Sequence, residues 1–115
     1  MVTRRATPAR PWPPMRGEVW DVPFRSIGTH PAVVLSNNAL RSTASSVTVV
    51  LITGTAGPRS THVPVDASAT GRPISYVDST TIQTVDMSNC RRHRGRLSPV
   101  SMADVEDAVA LALDL

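Results

Sequence analysis

Apolar residues recur along most of this chain with the two-residue period of β-strands, and only near its end with the 3.6-residue period of a helix. In GEVWDVPF, residues 17 to 24, Trp20, Val22 and Phe24 share one face of an extended segment, with a mixed set opposite. The stretch RSIGTHP, with Gly28 and Pro31, reads as a turn that carries His30 into AVVLS, a short β-branched run expected as a buried strand. NNALRSTASS is polar and turn-rich, whereas VTVVLIT, residues 47 to 53, is apolar on both faces, as expected of a central strand covered on both sides. A Gly/Pro/Ser loop, GTAGPRS, carries Arg59 and leads to THVPVD, where Thr61, Val63 and Val65 share a face and His62 points away from the core. DASATGRP reads as a further turn, and SYVDSTTIQTVD, residues 75 to 86, as a long β segment rich in Thr, Val, Ile and Tyr. RRHRGR, Arg91 to Arg96, is too charged for a core and reads as a solvated connection, with phosphate contact as its second reading.

The period changes after Ser98. Ser98 is a side-chain cap followed by Pro99 at the first helical position, and Met102, Val105, Val109 and Ala112 then recur at helical spacing, so residues 99 to about 113 form an amphipathic helix. Asp104, Glu106 and Asp107 lie toward its positive end. Five or so short strands closed by Gly/Pro turns, with one terminal helix, predict a small barrel. Residues 1 to 14, MVTRRATPARPWPP, are too rich in Arg and Pro for a packed element and read as a flexible arm; weak attraction to RNA and an overlong start explain it equally well.

Composition narrows the classes. At 115 residues with 41% hydrophobic and 18% charged, the chain fits one globular domain with a core of its own. The single Cys90 excludes an internal disulfide and a Cys-based zinc site, and goes with a reducing cytoplasm. No apolar run suits a membrane span or a signal peptide. All 12 basic residues are arginine; residues 1 to 100 hold them against 5 acids, a balance of +7, while residues 101 to 115 hold 4 acids and no base, −4. Genomic codon bias explains the absence of lysine as well as phosphate recognition does, but a basic body attracts polyanions.

The segments RGEVWDVPF, HPAVVLSNN, VTVVLIT, THVPVD and TIQTVD, followed by an Arg-rich stretch and GRLSP, in this order and spacing, resemble the MazF/PemK/Kid family of type II toxin–antitoxin endoribonucleases over residues 15 to 115. The resemblance implies a mainly β fold, a small SH3-like β-barrel of the CcdB/PemK type with a C-terminal helix, forming a homodimer. It also implies metal-independent, cofactor-free cleavage of single-stranded RNA at short motifs, and a cognate antitoxin that blocks the RNA groove. Carried over position by position, it makes His30 and Thr53 the catalytic residues. His30 stands before Pro31 where members often have Arg, and Thr53 closes the Ile52-Thr53 strand end. Thr80 and Thr81 occupy the place where some members carry an acid or Gln before the I-x-T-[IV]-D segment, and are expected to contact RNA.

The chemistry fits those residue types. Metal-free RNA cleavage uses the neighbouring 2′-OH as nucleophile, and needs a group to take its proton, one to protonate the leaving 5′ oxygen, and donors for the charge on phosphorus. His30 is the candidate proton-transfer group. Arg25, Arg59 and His62 are expected to contact RNA, His62 as a groove residue rather than a catalyst. Each has a plainer reading as well: His30 and Arg59 as solvated side chains, His62 as a surface residue, Thr53 as a β-branched strand end. Trp20 and Phe24 are core, Tyr76 is half-buried, Trp12 is free to stack on a base, and Cys90 is incidental. Two alternatives remain. A gyrase poison of the CcdB group shares the barrel, but relies on a Trp near its C-terminus where this chain ends Ala112-Leu113-Asp114-Leu115; an inactive paralogue would dimerise and bind an antitoxin only.

Overall fold

The computed structural model describes residues 12 to 40 and 45 to 115, so residues 1 to 11 of the expected arm and part of the NNALRSTASS loop lie outside the described residues. Six strands form one antiparallel sheet: β1 (Glu18–Phe24), β2 (Gly28–Val34), β3 (Ser46–Thr53), β4 (His62–Pro64), β5 (Tyr76–Asp86) and β6 (Arg92–Arg96), in the spatial order β4-β5-β3-β2-β1-β6. A one-turn helix, α1 (Ala67–Thr70), follows β4, and α2 (Pro99–Leu113) ends the fold. The sheet curls into a half-barrel, so that α1, attached to the β4 end of the order, packs on β6 at the other. Gly95 sits where they meet: a Cβ there would lie 2.8 Å from the Ala69 carbonyl oxygen.

Strand alternation gives each face of the sheet its own core. Val19, Val33, Val50, Ile52, Val63 and Val77 meet Met102, Val105 and Ala108 of α2 on one face. On the opposite face Trp20, Val22 and Phe24 pack with Ala32, Val34, Val49, Leu51 and Val85, closed by Met87 and Cys90. The apolar run of β3 therefore does serve both sides, as its sequence predicts. Helix α2 begins at the expected cap, with Ser98 Oγ accepting from the Ser101 N–H at 3.1 Å. Arg16 ties it to the sheet, bonding Glu106 at 2.5 Å and also the Leu35 carbonyl.

Five expectations need correction. Arg91 to Arg96 is not a loose connection: residues 92 to 96 are the edge strand β6 on β1, its charges met by Arg94 to Asp21 at 2.9 Å and Arg96 to Glu18 at 3.4 Å. His30 lies within β2, opposite Val22, because the hairpin register runs on to Gly28 and the turn is confined to Arg25 through Ile27. The buried seam of α2 is Met102, Val105 and Ala108 with Val109 half-buried; Ala112 shares that angular face but is exposed together with the rest of residues 111 to 115, where the helix end no longer has the sheet to cover it. Part of DASATGRP is the helix α1, whose Thr70 hydroxyl bonds Ser75 Oγ at 2.8 Å. Trp12 also differs from expectation. It stands edge-on to the buried Trp20, with ring centroids 6.0 Å apart, and remains half-exposed.

Candidate functional site

The β2 and β3 strands are paired up to Ala32 and Leu51 and part beyond them. Pro31 stands at the point of separation, where it has no N–H to offer a neighbour. His30 and Thr53 each lie two residues past the last pair, on the open end of the sheet. Alternation puts both on the face of the Trp20 core, since Ala32, Val34, Val49 and Leu51 belong to it. His30 Nε2 is 3.1 Å from the Ile27 carbonyl oxygen, and Thr53 Oγ1 accepts from the Thr55 N–H at 3.2 Å.

The same row continues across the sheet. Thr53 pairs with Tyr76, Tyr76 with Pro64, and Asp78 with His62, all on the face opposite Val63 and Val77. Beside them the 54 to 61 loop and the segment before β5 enclose a cleft of about 410 Å³, lined among others by Gly57, Arg59, His62, Ile74 and Tyr76. The His62 ring is seated against Gly57, where a Cβ would fall 2.5 Å from two ring atoms. Its Nδ1 is 2.8 Å from Thr61 Oγ1, and its Nε2 faces Asp78 Oδ2 at 3.9 Å. Asp78 also accepts from the Thr80 N–H at 3.0 Å, the Thr80 hydroxyl at 2.6 Å and the Thr81 hydroxyl at 3.0 Å. Burial pushes the Asp78 carboxyl up, but those hydrogen bonds and the nearby His62 outweigh it and hold it below the usual carboxylate value.

The structure thus gathers Thr53, Arg59, His62, Thr80 and Thr81 around one end of β5, with His30 on the next strand beyond β3. Arg25 is apart from this group, exposed in the β1–β2 turn. Sequence reasoning missed Asp78, which binds both threonines and faces His62. The spacing Asp78-x-Thr80-Thr81 was the available signal, because a carboxylate readily accepts the N–H two residues on. Cys90 is buried, and burial together with Glu18 pushes its thiol up to about 11, which suits a packing residue rather than a nucleophile.

Known proteins place the chain. A search of curated proteins found no match. Among solved structures it is similar to a mycobacterial endoribonuclease in complex with its cognate antitoxin, at 29% identity and a TM-score of 0.78 over 89% of this chain and 96% of that one. It is similar to the Mycobacterium tuberculosis toxin MazF-mt6 at 26% identity and a TM-score of 0.77, covering 85% of this chain and 97% of that one. MazF from Deinococcus radiodurans, at 19% identity, 89% and 97% coverage and a TM-score of 0.76, shares the fold. The family model described as PemK-like, MazF-like toxin of type II toxin–antitoxin system matches residues 15 to 113. With the curled sheet and terminal helix in place over that whole span, the chain belongs to the PemK-like, MazF-like toxins of type II toxin–antitoxin systems.

Proposed function

We propose that this toxin is an endoribonuclease that cuts single-stranded RNA at a short sequence motif, without a metal or cofactor. The observation that carries the reading is the open sheet end, where His30 on β2, Thr53 on β3 and, beyond β5, the Arg59–His62 cleft stand on one face. The likeness to mycobacterial endoribonucleases supports it. The 2′-OH of the substrate attacks the adjacent phosphorus, the bond to the 5′ oxygen breaks, and the products carry a 2′,3′-cyclic phosphate and a 5′-hydroxyl. His30, with Nε2 against the Ile27 carbonyl, offers its other ring nitrogen for proton transfer to the leaving oxygen. Thr53 contacts the reacting phosphate, and Arg25 and Arg59 bind flanking phosphates. Thr80 and Thr81, whose protons go to Asp78, present oxygen lone pairs to the bases. A second copy of the chain and a cognate antitoxin are its protein partners, and the cytoplasm, where RNA substrate is found, is its place of action.

Incubation with a long unstructured RNA in excess EDTA, followed by mapping of new ends, tests the reading. The expected result is cutting at one motif with 5′-hydroxyl ends, lost in His30→Ala and Thr53→Ala. Intact RNA across pH and salt overturns it in favour of an inactive antitoxin-binding protein or a gyrase poison.

A further inference from the structure

We propose that Trp12 and Arg91 form a second RNA subsite, in which the Trp12 ring stacks on one unpaired base and the Arg91 guanidinium takes a phosphate beside it. The inference rests on the reading of single-stranded RNA as substrate, and deepens it with a place for a nucleotide away from the cut.

Of the four Trp, Tyr and Phe side chains, Trp20 and Phe24 are buried and Tyr76 is half-buried, whereas Trp12 is 53% exposed. Trp12 is nonetheless held in place. Its ring stands at 81° to that of Trp20, and a perpendicular contact of this kind covers at most one face of the Trp12 ring. Pro13 and Pro14 restrict the backbone that follows, and Pro14 is buried. A base that stacks here meets a ring already oriented, so little side-chain freedom is lost on binding.

The surroundings supply the other parts of a nucleotide site. Trp12, Ser88, Cys90 and Arg91 line a cleft of about 450 Å³. Among these residues the charge is positive: Arg91 is exposed, and burial keeps the Cys90 thiol protonated. The Arg91 N–H donates to the Asp21 carbonyl oxygen at 2.9 Å, which fixes its backbone against β1, while the Asp21 carboxylate is taken by Arg94. The exposed Ser88 hydroxyl adds a donor and an acceptor for a base edge. A ring, a guanidinium and a hydroxyl in one cleft match the needs of a single-stranded nucleotide, whose base has two π-faces and whose phosphate is anionic.

The subsite also shares a face with the cut. On β1, Trp20 stands two residues, about 7 Å of strand rise, from Val22, and Val22 pairs with His30. The Trp12 and Trp20 ring centroids are 6.0 Å apart. A strand whose cut phosphate lies at His30 therefore reaches Trp12 without changing face. Stacking there is tolerant of base identity, so the subsite adds affinity for flanking RNA rather than sequence choice.

Binding of a short 2′-O-methyl RNA of mixed sequence, which lacks the attacking hydroxyl, tests the inference when followed by tryptophan fluorescence at several salt concentrations. The native emission is expected to be quenched on binding. Trp12→Phe keeps most of the affinity and loses the quench, because Trp20 is buried. Trp12→Ala binds about tenfold more weakly, and Arg91→Gln lowers the slope of log affinity against log salt by about 0.7. With cleavable RNA, Trp12→Ala raises KM and leaves kcat unchanged. If Trp12→Ala does not fold, the native quench, Trp12→Phe and Arg91→Gln decide. Native affinity in Trp12→Ala, or equal losses in Trp12→Ala and Trp12→Phe, overturns the inference. So does a change in sedimentation of Trp12→Ala with RNA affinity unaltered, which marks Trp12 as a protein contact. A native protein that binds the 2′-O-methyl RNA through Trp12 but leaves ordinary RNA intact overturns the cleavage reading and keeps the subsite. One that cuts RNA with no part for Trp12 does the reverse, and one that neither binds nor cuts overturns both.

Discussion

At Asp78 two influences oppose each other: burial favours the protonated carboxyl, and hydrogen bonds from Thr80 and Thr81, with His62 nearby, favour the carboxylate and prevail. The folded value lies below the ordinary 3.8, so in the interval between them the unfolded chain binds more protons than the folded one. Asp78 therefore stabilises the fold fully above that ordinary value, and its contribution is lost as pH falls through the folded value. Urea unfolding of the native protein and Asp78→Asn at a series of pH values checks this. The native protein is expected to be the more stable at neutral pH, with the gap closing below about pH 4; a gap constant down to pH 2 refutes it. Residue types at the site were legible where a motif fixed their position, as for His30 before Pro31 or Thr53 after Ile52. Asp78 was not, because it lies in a β-branched run where a polar residue looks like the outward position of a strand. Only the fold around the 54 to 61 loop brings His62 opposite it.

Among the elements, α2 shows how local chemistry suffices. Ser98 satisfies the Ser101 N–H, and Pro99 occupies a position whose missing donor costs nothing. Ser98→Ala should cost about 1 kcal/mol, read as a lower urea midpoint with unchanged slope, while Ser98→Asp should stay close to the native value. A Ser98→Ala midpoint equal to the native one would show that the cap contributes nothing. Strands β1 and β4, with apolar alternation, β3, with a continuous apolar run, and β5, rich in β-branched residues, were legible for a similar local reason. Strand β6 was not: RHRGR has no apolar face, and it extends because Asp21 and Glu18 of β1 meet its guanidinium groups. The first half of β2 was hidden by Pro31, which reads as a breaker but is tolerated where the pairing to β3 has ended.

The whole molecule depends on closure between elements far apart in sequence. Helix α1 reaches β6 only if residue 95 has no side chain, since an added Cβ would meet backbone atoms of Ala69 at 2.8 and 3.1 Å. Backbone cannot rotate aside as a side chain can. Gly95→Ala should therefore cost about 1–3 kcal/mol and lower the thermal midpoint by several degrees, with the neighbouring exposed Arg96→Ala changing it less. A Gly95→Ala protein as stable as the native one would show that α1 shifts freely, and that closure on β6 is loose.

Local patterning was enough to fix the class of the fold, most of the strands, the capped terminal helix and the family, because periodicity, caps and ordered motifs are properties of neighbouring residues. Long-range packing set what depends on distance across the sheet. It made a charged stretch into an edge strand and split the apolar residues into two cores. It also set His62 between Thr61, Gly57 and Asp78. Those relations arise from strand register and curl, which bring together residues whose separation along the chain carries no periodic signal.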